Sequence, residues 1–181
     1  MTQYKVAVLG GGSFGTVIAN LAASNGHATT LWLRDPQQLA DMREYHENTR
    51  YLPGFPLAPE LMFSDDLQAT VAAADVVFVS IPSKAFRSVL KAARPAFRPE
   101  QMLVSTTKGI EKDSFALMSE ILREESGLTR IGVISGPNLA KEIMARQLAG
   151  TVVASPDAGL RTAVHAVLSC AHFRVVSNAD I

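Results

Sequence analysis

A glycine-rich turn near the amino terminus is the pattern with the clearest chemistry. Gly10, Gly12 and Gly15 have G-x-G-x-x-G spacing between an apolar run at 5–9 and a helical pattern that starts at Ser13. In such a turn the first glycine allows the bend, the second lets a pyrophosphate approach the backbone, and the third lets the helix pack on the strand. Free N–H groups at the helix start attract phosphate. The pattern predicts nucleotide binding, with a glycine-rich turn that binds nothing as the alternative.

The end of the next apolar run, at 28–34, bears on the choice of cofactor. An acid at the end of this strand favours the ribose 2′-hydroxyl of NADH, whereas this sequence has Arg34 there, followed by Asp35. A guanidinium can stack on adenine and pair with the 2′-phosphate of NADPH. Asp35 can instead cap the helix that Pro36 opens. We therefore expect NADPH, with NADH and a merely solvated Arg34 as alternatives.

Two further strand ends carry residues suited to a cofactor crevice, because ligands of open α/β sheets bind at the carboxyl ends of strands. Lys108 follows an apolar run at 102–106, where an ammonium can attract a phosphate or polarise a carbonyl. A surface lysine is the alternative reading. Pro82 follows a run at 75–81. It either forms one wall of the crevice beside the nicotinamide ring of the cofactor or simply ends the strand.

A third strand end, after the run at 131–135, leads through Gly136, Pro137 and Asn138 into a helix expected at 139–146. Proline near the first helical position and free N–H groups beyond it favour an anion. A plain helix start would have the same sequence.

Other chemistry-bearing residues favour structural roles. The spacing of His165, Cys170 and His172 matches no common zinc pattern, so we expect no metal site. Asp65 and Asp66 are expected to cap a helix at 67–74.

Composition limits the remaining classes of function. The 181 residues carry 17 basic and 17 acidic side chains, and this balance argues against nucleic-acid binding. No apolar stretch is long enough to cross a bilayer, and Cys170 has no partner for an internal disulfide. We therefore expect a soluble cytoplasmic protein without membrane insertion.

Apolar runs alternate with amphipathic helical patterns along the chain. The remaining strands are expected at 150–154 and 173–176, and the helices at 13–25, 36–46, 85–93, 114–124 and 157–169, with an ordered proline-rich loop at 48–59. This alternation predicts an α/β fold with a Rossmann-like, doubly wound, mostly parallel sheet and helices on both faces. We expect residues 1–181 to form one dinucleotide-binding domain. Because the chain stops just after a strand, we expect it to be shortened, with a natural end as the alternative.

Several motifs together resemble one family. GGGSFGT, LWLRD, NTRYLPG, VFVSIPS, STTKGIE and SGPNLAKE occur in the order found in glycerol-3-phosphate dehydrogenase, and the resemblance is greatest to the bacterial NAD(P)-dependent form. It implies reversible reduction of dihydroxyacetone phosphate to sn-glycerol 3-phosphate, which feeds phospholipid synthesis. It also implies a second, helical substrate domain that this chain lacks, with the acid–base lysine beyond Ile181. A homodimer is one assembly that the protein could form.

The resemblance also implies roles for single residues. Ser13 and Phe14 contact the pyrophosphate, Arg34 the adenosine end, Ala140 the cofactor, and Lys108 both cofactor and substrate. Gly136 and Asn138 contact the substrate, although the family usually has a small hydroxyl residue at position 138. The rival readings are another two-domain NADP-dependent reductase, against which STTKGIE and SGPNLAKE argue, and a stand-alone nucleotide-sensing module without catalysis.

Overall fold

An eight-stranded sheet runs through the centre of the protein in the computed structural model, which describes residues 2–181. The strands are Lys5–Leu9 (β1), Ala28–Trp32 (β2), Met62–Ser64 (β3), Val76–Val79 (β4), Met102–Ser105 (β5), Ile131–Ser135 (β6), Ala149–Ala154 (β7) and Phe173–Asn178 (β8). Their order is β3-β2-β1-β4-β5-β6-β7-β8, and the pairs are parallel except β6 with β7. The order of the first six strands is that of a Rossmann sheet, which confirms the predicted fold class.

Helices cover both faces of this sheet. They are Ser13–Ser24 (α1), Pro36–Tyr45 (α2), Leu67–Ala73 (α3), Ser83–Ala93 (α4), Met118–Ser126 (α5), Ala140–Met144 (α6) and Ala158–Leu168 (α7), with a 3₁₀ turn at Arg94–Ala96. Val8 and Ile18 belong to the apolar core on one face, whereas Leu9 and Phe86 belong to the core on the other. The strands read as continuous apolar runs because both of their faces are buried.

The short edge strand β3 was not predicted; β7 was predicted at 150–154, but its antiparallel direction was not. Three residues of β3 are too few to show a period of two, and each pairs with a β2 residue 32 positions earlier. The second strand also ends at Trp32, two residues earlier than expected. The direction of β7 follows from its pairing with β6, which local sequence does not encode.

The prediction of a helix at 114–124 was wrong at its start, since α5 begins at Met118. The hydroxyl of Ser114 bonds to the Glu111 carboxylate, and Phe115 has a φ of 57°. The Glu111 amide donates to the carbonyl oxygen of Ala116 at 2.9 Å, which closes this segment into a turn. Ser114 therefore satisfies the local backbone outside a helix, as serine often does.

The prediction of a helix at 139–146 was also wrong in length. Helix α6 has only five residues, its N-cap is Leu139, and Pro137 lies outside it. The predicted anion site required a helix that starts close to Gly136. The helix starts only at Ala140, so that site is not formed. Among the described helices none is long and apolar enough to cross a membrane.

Candidate functional site

The glycine turn lies where the chain order of the sheet reverses, between β1 and β4. Gly10 has a φ of 120°, and a Cβ atom on it would collide with the Ser80 carbonyl oxygen at the end of β4. A Cβ atom on Gly15 would collide with the Gly10 carbonyl oxygen. Both positions therefore need glycine for close packing of backbone on backbone, as the spacing predicts.

Gly12 differs from its neighbours because its missing side chain faces open space. It is the N-cap of α1 with φ −74° and ψ 177°, and nothing lies within 4 Å of an ideal Cβ atom. No side chain caps the first turn of α1. The first N–H groups of an α-helix have no partner within the helix, so this end of α1 can receive an anion.

Two amide side chains that sequence reasoning missed fix the outer edge of this turn. Nδ2 of Asn48 donates to the Gly11 carbonyl oxygen at 2.9 Å and to the Thr16 hydroxyl at 2.7 Å. Nε2 of Gln38 donates to the same Gly11 oxygen at 2.6 Å. Asn48 and Gln38 are both buried, although the sequence around them is polar and gives no local sign of burial.

A cleft of about 390 Å³ extends from the glycine turn towards the end of β2. Gly12 and Trp32 line it, together with Arg34, Asp35 and Arg50. The indole Nε1 of Trp32 donates to the Asp65 carbonyl oxygen at 3.0 Å, and the ring is buried. Arg34 is exposed at the rim of this cleft, and Arg50 is a further cation that sequence reasoning missed.

Pro82 borders the next part of the same sheet edge. It is exposed, serves as the N-cap of α4, and lines both the first cleft and a second one of about 370 Å³. Phe14 and Lys108 also line the second cleft. The Thr107 hydroxyl donates to the Ile81 carbonyl oxygen at 2.7 Å, so the strand ends after β4 and β5 are tied together.

A third cleft of about 290 Å³ brings together six residues that the sequence assigned to cofactor or substrate: Ser13, Phe14, Lys108, Gly136, Asn138 and Ala140. Nζ of Lys108 lies 3.4 Å from the Gly136 carbonyl oxygen. Nδ2 of Asn138 donates to the Thr151 hydroxyl at 2.9 Å, and its Oδ1 is buried without a partner in the described part of the chain.

The loop that carries Lys108 is anchored by an ion pair. The Arg87 guanidinium donates from Nε and Nη2 to both Glu111 oxygens, at 2.7 and 2.8 Å. Its Nη1 also contacts Glu124 at 2.7 Å and the buried carboxylate of Glu125 at 2.5 Å. Hydrogen bonding from Arg87 lowers the pKa of Glu111 to about 2. Arg87 thus joins α4, α5 and this loop.

Across residues 2–181 no three His, Cys, Asp or Glu side chains converge in a way that could hold a metal ion. Cys170 lies 3.4 Å from Nδ1 of His172.

Comparison with known proteins assigns the chain to a family. A family model described as the N-terminus of NAD-dependent glycerol-3-phosphate dehydrogenase matches residues 5–161. The chain belongs to this family. The glycine turn, Arg34, Pro82, Lys108 and the segment 136–140 all lie within the matched range.

Two bacterial proteins named glycerol-3-phosphate dehydrogenase (NAD(P)+) match along the whole chain. The one from Alcanivorax borkumensis is 52% identical over 183 residues, which cover 100% of this chain and 53% of that protein. The one from Azotobacter vinelandii is 51% identical over 180 residues, which cover 99% and 53%. The crystal structure of glycerol-3-phosphate dehydrogenase from Coxiella burnetii has a TM-score of 0.93 at 30% identity and covers 99% of this chain and 55% of that one. The chain thus spans about half the length of these relatives.

Proposed function

We propose that this chain binds NADPH or NADH along the carboxyl edge of its sheet and forms the cofactor half of a glycerol-3-phosphate dehydrogenase. The whole enzyme would reversibly reduce dihydroxyacetone phosphate to sn-glycerol 3-phosphate and so supply glycerophospholipid synthesis. The single observation that carries the proposal is the open space at Gly12, at an α1 terminus without a side-chain cap, where a pyrophosphate can reach the backbone.

The residues present fit a dinucleotide along the first two clefts. The pyrophosphate would lie on Gly10, Gly12 and Ser13, and the adenosine would extend towards Arg34. The nicotinamide, which supplies or accepts hydride when it is bound, would lie between Phe14 and Pro82. Gly15 contributes indirectly, since it lets α1 approach the turn.

The substrate would bind in the third cleft. The Lys108 ammonium is exposed there and can hold the substrate phosphate or polarise its carbonyl. Gly136 leaves room beside the substrate, Asn138 can offer an amide, and Ala140 borders the cofactor. We propose that the acid–base lysine lies beyond Ile181, in the half of the family enzymes that this chain does not span.

The proposal extends to the domain organisation, the cellular location and the oligomeric state of the protein. We propose that residues 1–181 act as one dinucleotide-binding domain in the cytoplasm, where the free thiol of Cys170 would stay reduced. A homodimer remains a prediction for the whole protein, and analytical ultracentrifugation of the full-length enzyme would test it.

Binding and turnover by this chain test the proposal together. We expect titration with NADPH to quench or shift the fluorescence emission of Trp32. This residue lines the first cleft and is the single tryptophan of the sequence. We expect no efficient oxidation of NADPH by dihydroxyacetone phosphate, because loss of a positioned acid alone costs about a hundredfold or more.

Full-length protein is the matched control for this experiment. It should bind NADPH with similar affinity and turn over dihydroxyacetone phosphate. A chain that binds neither NADPH nor NADH would overturn the proposal. A full-length protein that binds but never turns over would leave a nucleotide-sensing module in its place.

A further inference from the structure

Three charged side chains meet at the adenosine end of the first cleft. Arg34, Asp35 and Arg50 all line it, and Nη1 of Arg50 lies 2.8 Å from Oδ2 of Asp35. Both members of this pair are about half exposed, with 56% and 42% of their side-chain surfaces accessible. Two cations and one anion leave a net positive charge where a ribose 2′-substituent would lie.

Asp35 already has partners for both of its carboxylate oxygens. Oδ1 accepts from the backbone amides of Gln37 at 2.9 Å and Gln38 at 3.1 Å, and Oδ2 accepts from Arg50. The amide of Gln38 and the guanidinium of Arg50 hold the pKa of Asp35 below its ordinary value. An acid at this end of a Rossmann strand can select NADH by accepting from the ribose hydroxyls. Here that carboxylate is used to cap α2 and to bind Arg50.

The backbone around Arg50 is fixed to the glycine turn. Oδ1 of Asn48 accepts from the Tyr51 amide at 3.1 Å, and the Ser13 hydroxyl donates to the Tyr51 carbonyl oxygen at 2.8 Å. The guanidinium carbon of Arg50 lies 5.2 Å from the centre of the Tyr51 ring. Arg50 is therefore presented to the cleft from an anchored loop, which distinguishes it from an ordinary surface arginine.

We propose that Arg50, with Asp35 as its counter-ion, is a specificity-determining residue that favours NADPH over NADH. Arg50 neutralises the carboxylate that would otherwise repel a 2′-phosphate, and it adds a second cation to the cleft that Arg34 lines. Arginine suits this role because its planar fork binds phosphate through two N–H groups and keeps its charge. The inference rests on the proposed function, since it requires a dinucleotide along this edge.

The proposal predicts effects of opposite sign for the two members of the pair. Arg50→Gln removes one cation and uncovers Asp35, so NADPH affinity should fall about tenfold or more, while NADH affinity changes less than about threefold. Asp35→Asn removes the anion and retains a good N-cap residue, so NADPH affinity should rise relative to that of NADH. A purely structural role of the pair would lower both affinities in both variants.

The test is a titration of each protein with NADPH, NADH, 2′,5′-ADP and 5′-AMP at fixed low salt, followed by Trp32 emission. The two adenosine nucleotides isolate the 2′-phosphate from the nicotinamide. Lys91→Gln is the matched control, because it removes a cation from exposed surface of α4 outside the cleft. It should leave the ratio of NADPH to NADH affinity unchanged.

The outcomes distinguish the role of Arg50 in specificity from cofactor binding itself. Equal losses of NADPH and NADH in Arg50→Gln, or weaker binding of both in Asp35→Asn, would overturn the role of Arg50 and leave cofactor binding intact. Failure of the unmodified chain to bind either dinucleotide would overturn the proposed function itself. If Arg50→Gln does not fold by circular dichroism, Asp35→Asn decides, since it leaves Arg50 in place and should raise NADPH affinity relative to that of NADH.

Discussion

The glycine turn and the Lys108 loop lie on the same edge of the sheet but are held by different kinds of bond. The glycine turn is fixed by neutral groups, namely the side-chain amides of Gln38 and Asn48. The Lys108 loop is fixed by the ion pair of Arg87 with Glu111. Charge pairs weaken with salt and with protonation of the acid, whereas amide–carbonyl bonds depend little on either.

This difference separates two tasks within one site. The turn that would receive the pyrophosphate is built mainly from backbone and is held by buried amides. The loop that carries Lys108 presents an exposed cation, and its neighbours Ile110 and Phe115 are also exposed, at 48% and 71%. We therefore expect pyrophosphate binding at the glycine turn to be less sensitive to salt and acid than the position of the Lys108 loop.

The largest expected effect comes from filling the open space of the glycine turn. Gly12→Val should abolish NADPH binding, because the branched side chain would occupy the space that the pyrophosphate needs. The fold should persist, since φ −74° and ψ 177° suit any residue and loss of a glycine N-cap costs on the order of 1 kcal/mol. Fluorescence titration and a thermal melt measure the two properties separately.

Gly12→Ala is the graded control for that variant. Its smaller side chain should weaken NADPH binding less than valine does, at similar thermal stability. Undiminished NADPH affinity in folded Gly12→Val would remove the glycine turn from the site.

A smaller effect is expected at the adenosine end. Arg34→Ala should weaken NADPH by about 1.5–3 kcal/mol if the guanidinium pairs with the 2′-phosphate, and should affect NADH much less. Equal weakening of both cofactors would indicate stacking on the adenine that they share. Titration of both proteins with both cofactors at fixed low salt distinguishes these cases, and no change for either would make Arg34 a solvated side chain.

The smallest effect concerns acid and the Lys108 loop. The folded-state pKa of Glu111, about 2, is lower than that of a glutamate in an unfolded chain, so the stability it contributes is complete above about pH 4.5. This contribution is lost as the pH falls towards 2, because the unfolded state then binds a proton that the folded state does not. Glu111→Gln should therefore lower Tm at pH 6 and lower it by less at pH 3.

Glu60→Gln is the control for that pH series, because Glu60 is exposed and lies outside the Arg87 network. It should shift Tm little at either pH. A Tm difference between Glu111→Gln and the unmodified chain that stays constant from pH 6 to pH 3 would contradict the role of the ion pair.

Much of the fold could be predicted because its signals are local. The run at 5–9, the three glycines and the helix after Ser13 are adjacent in sequence, and their spacing alone predicts a strand, a phosphate-binding turn and a helix. Asp35 and Asp66 each accept from amides two or three residues ahead, so their capping roles were also predictable. Strand β3 was missed because three residues carry no periodic signal.

The anchors of the site could not be predicted because they join distant parts of the chain. Asn48 binds Gly11 across 37 residues, and Arg87 binds Glu111 across 24. A polar side chain in a polar segment looks the same whether it is solvated or buried, so only the folded chain shows which amide or acid it meets.

The sequence by itself determined the alternation of strands and helices, the phosphate-binding turn and the set of strand ends that carry chemistry. Hydrophobic periodicity and the steric freedom of glycine are properties of a few neighbouring residues, so they are legible without a fold. Only the tertiary structure decided that β7 runs antiparallel, that Arg50 pairs with Asp35, and that Arg87 holds the Lys108 loop. Each of these depends on which distant groups become neighbours when the sheet closes, because hydrogen bonds and ion pairs act over a few ångströms of space whatever the separation along the chain.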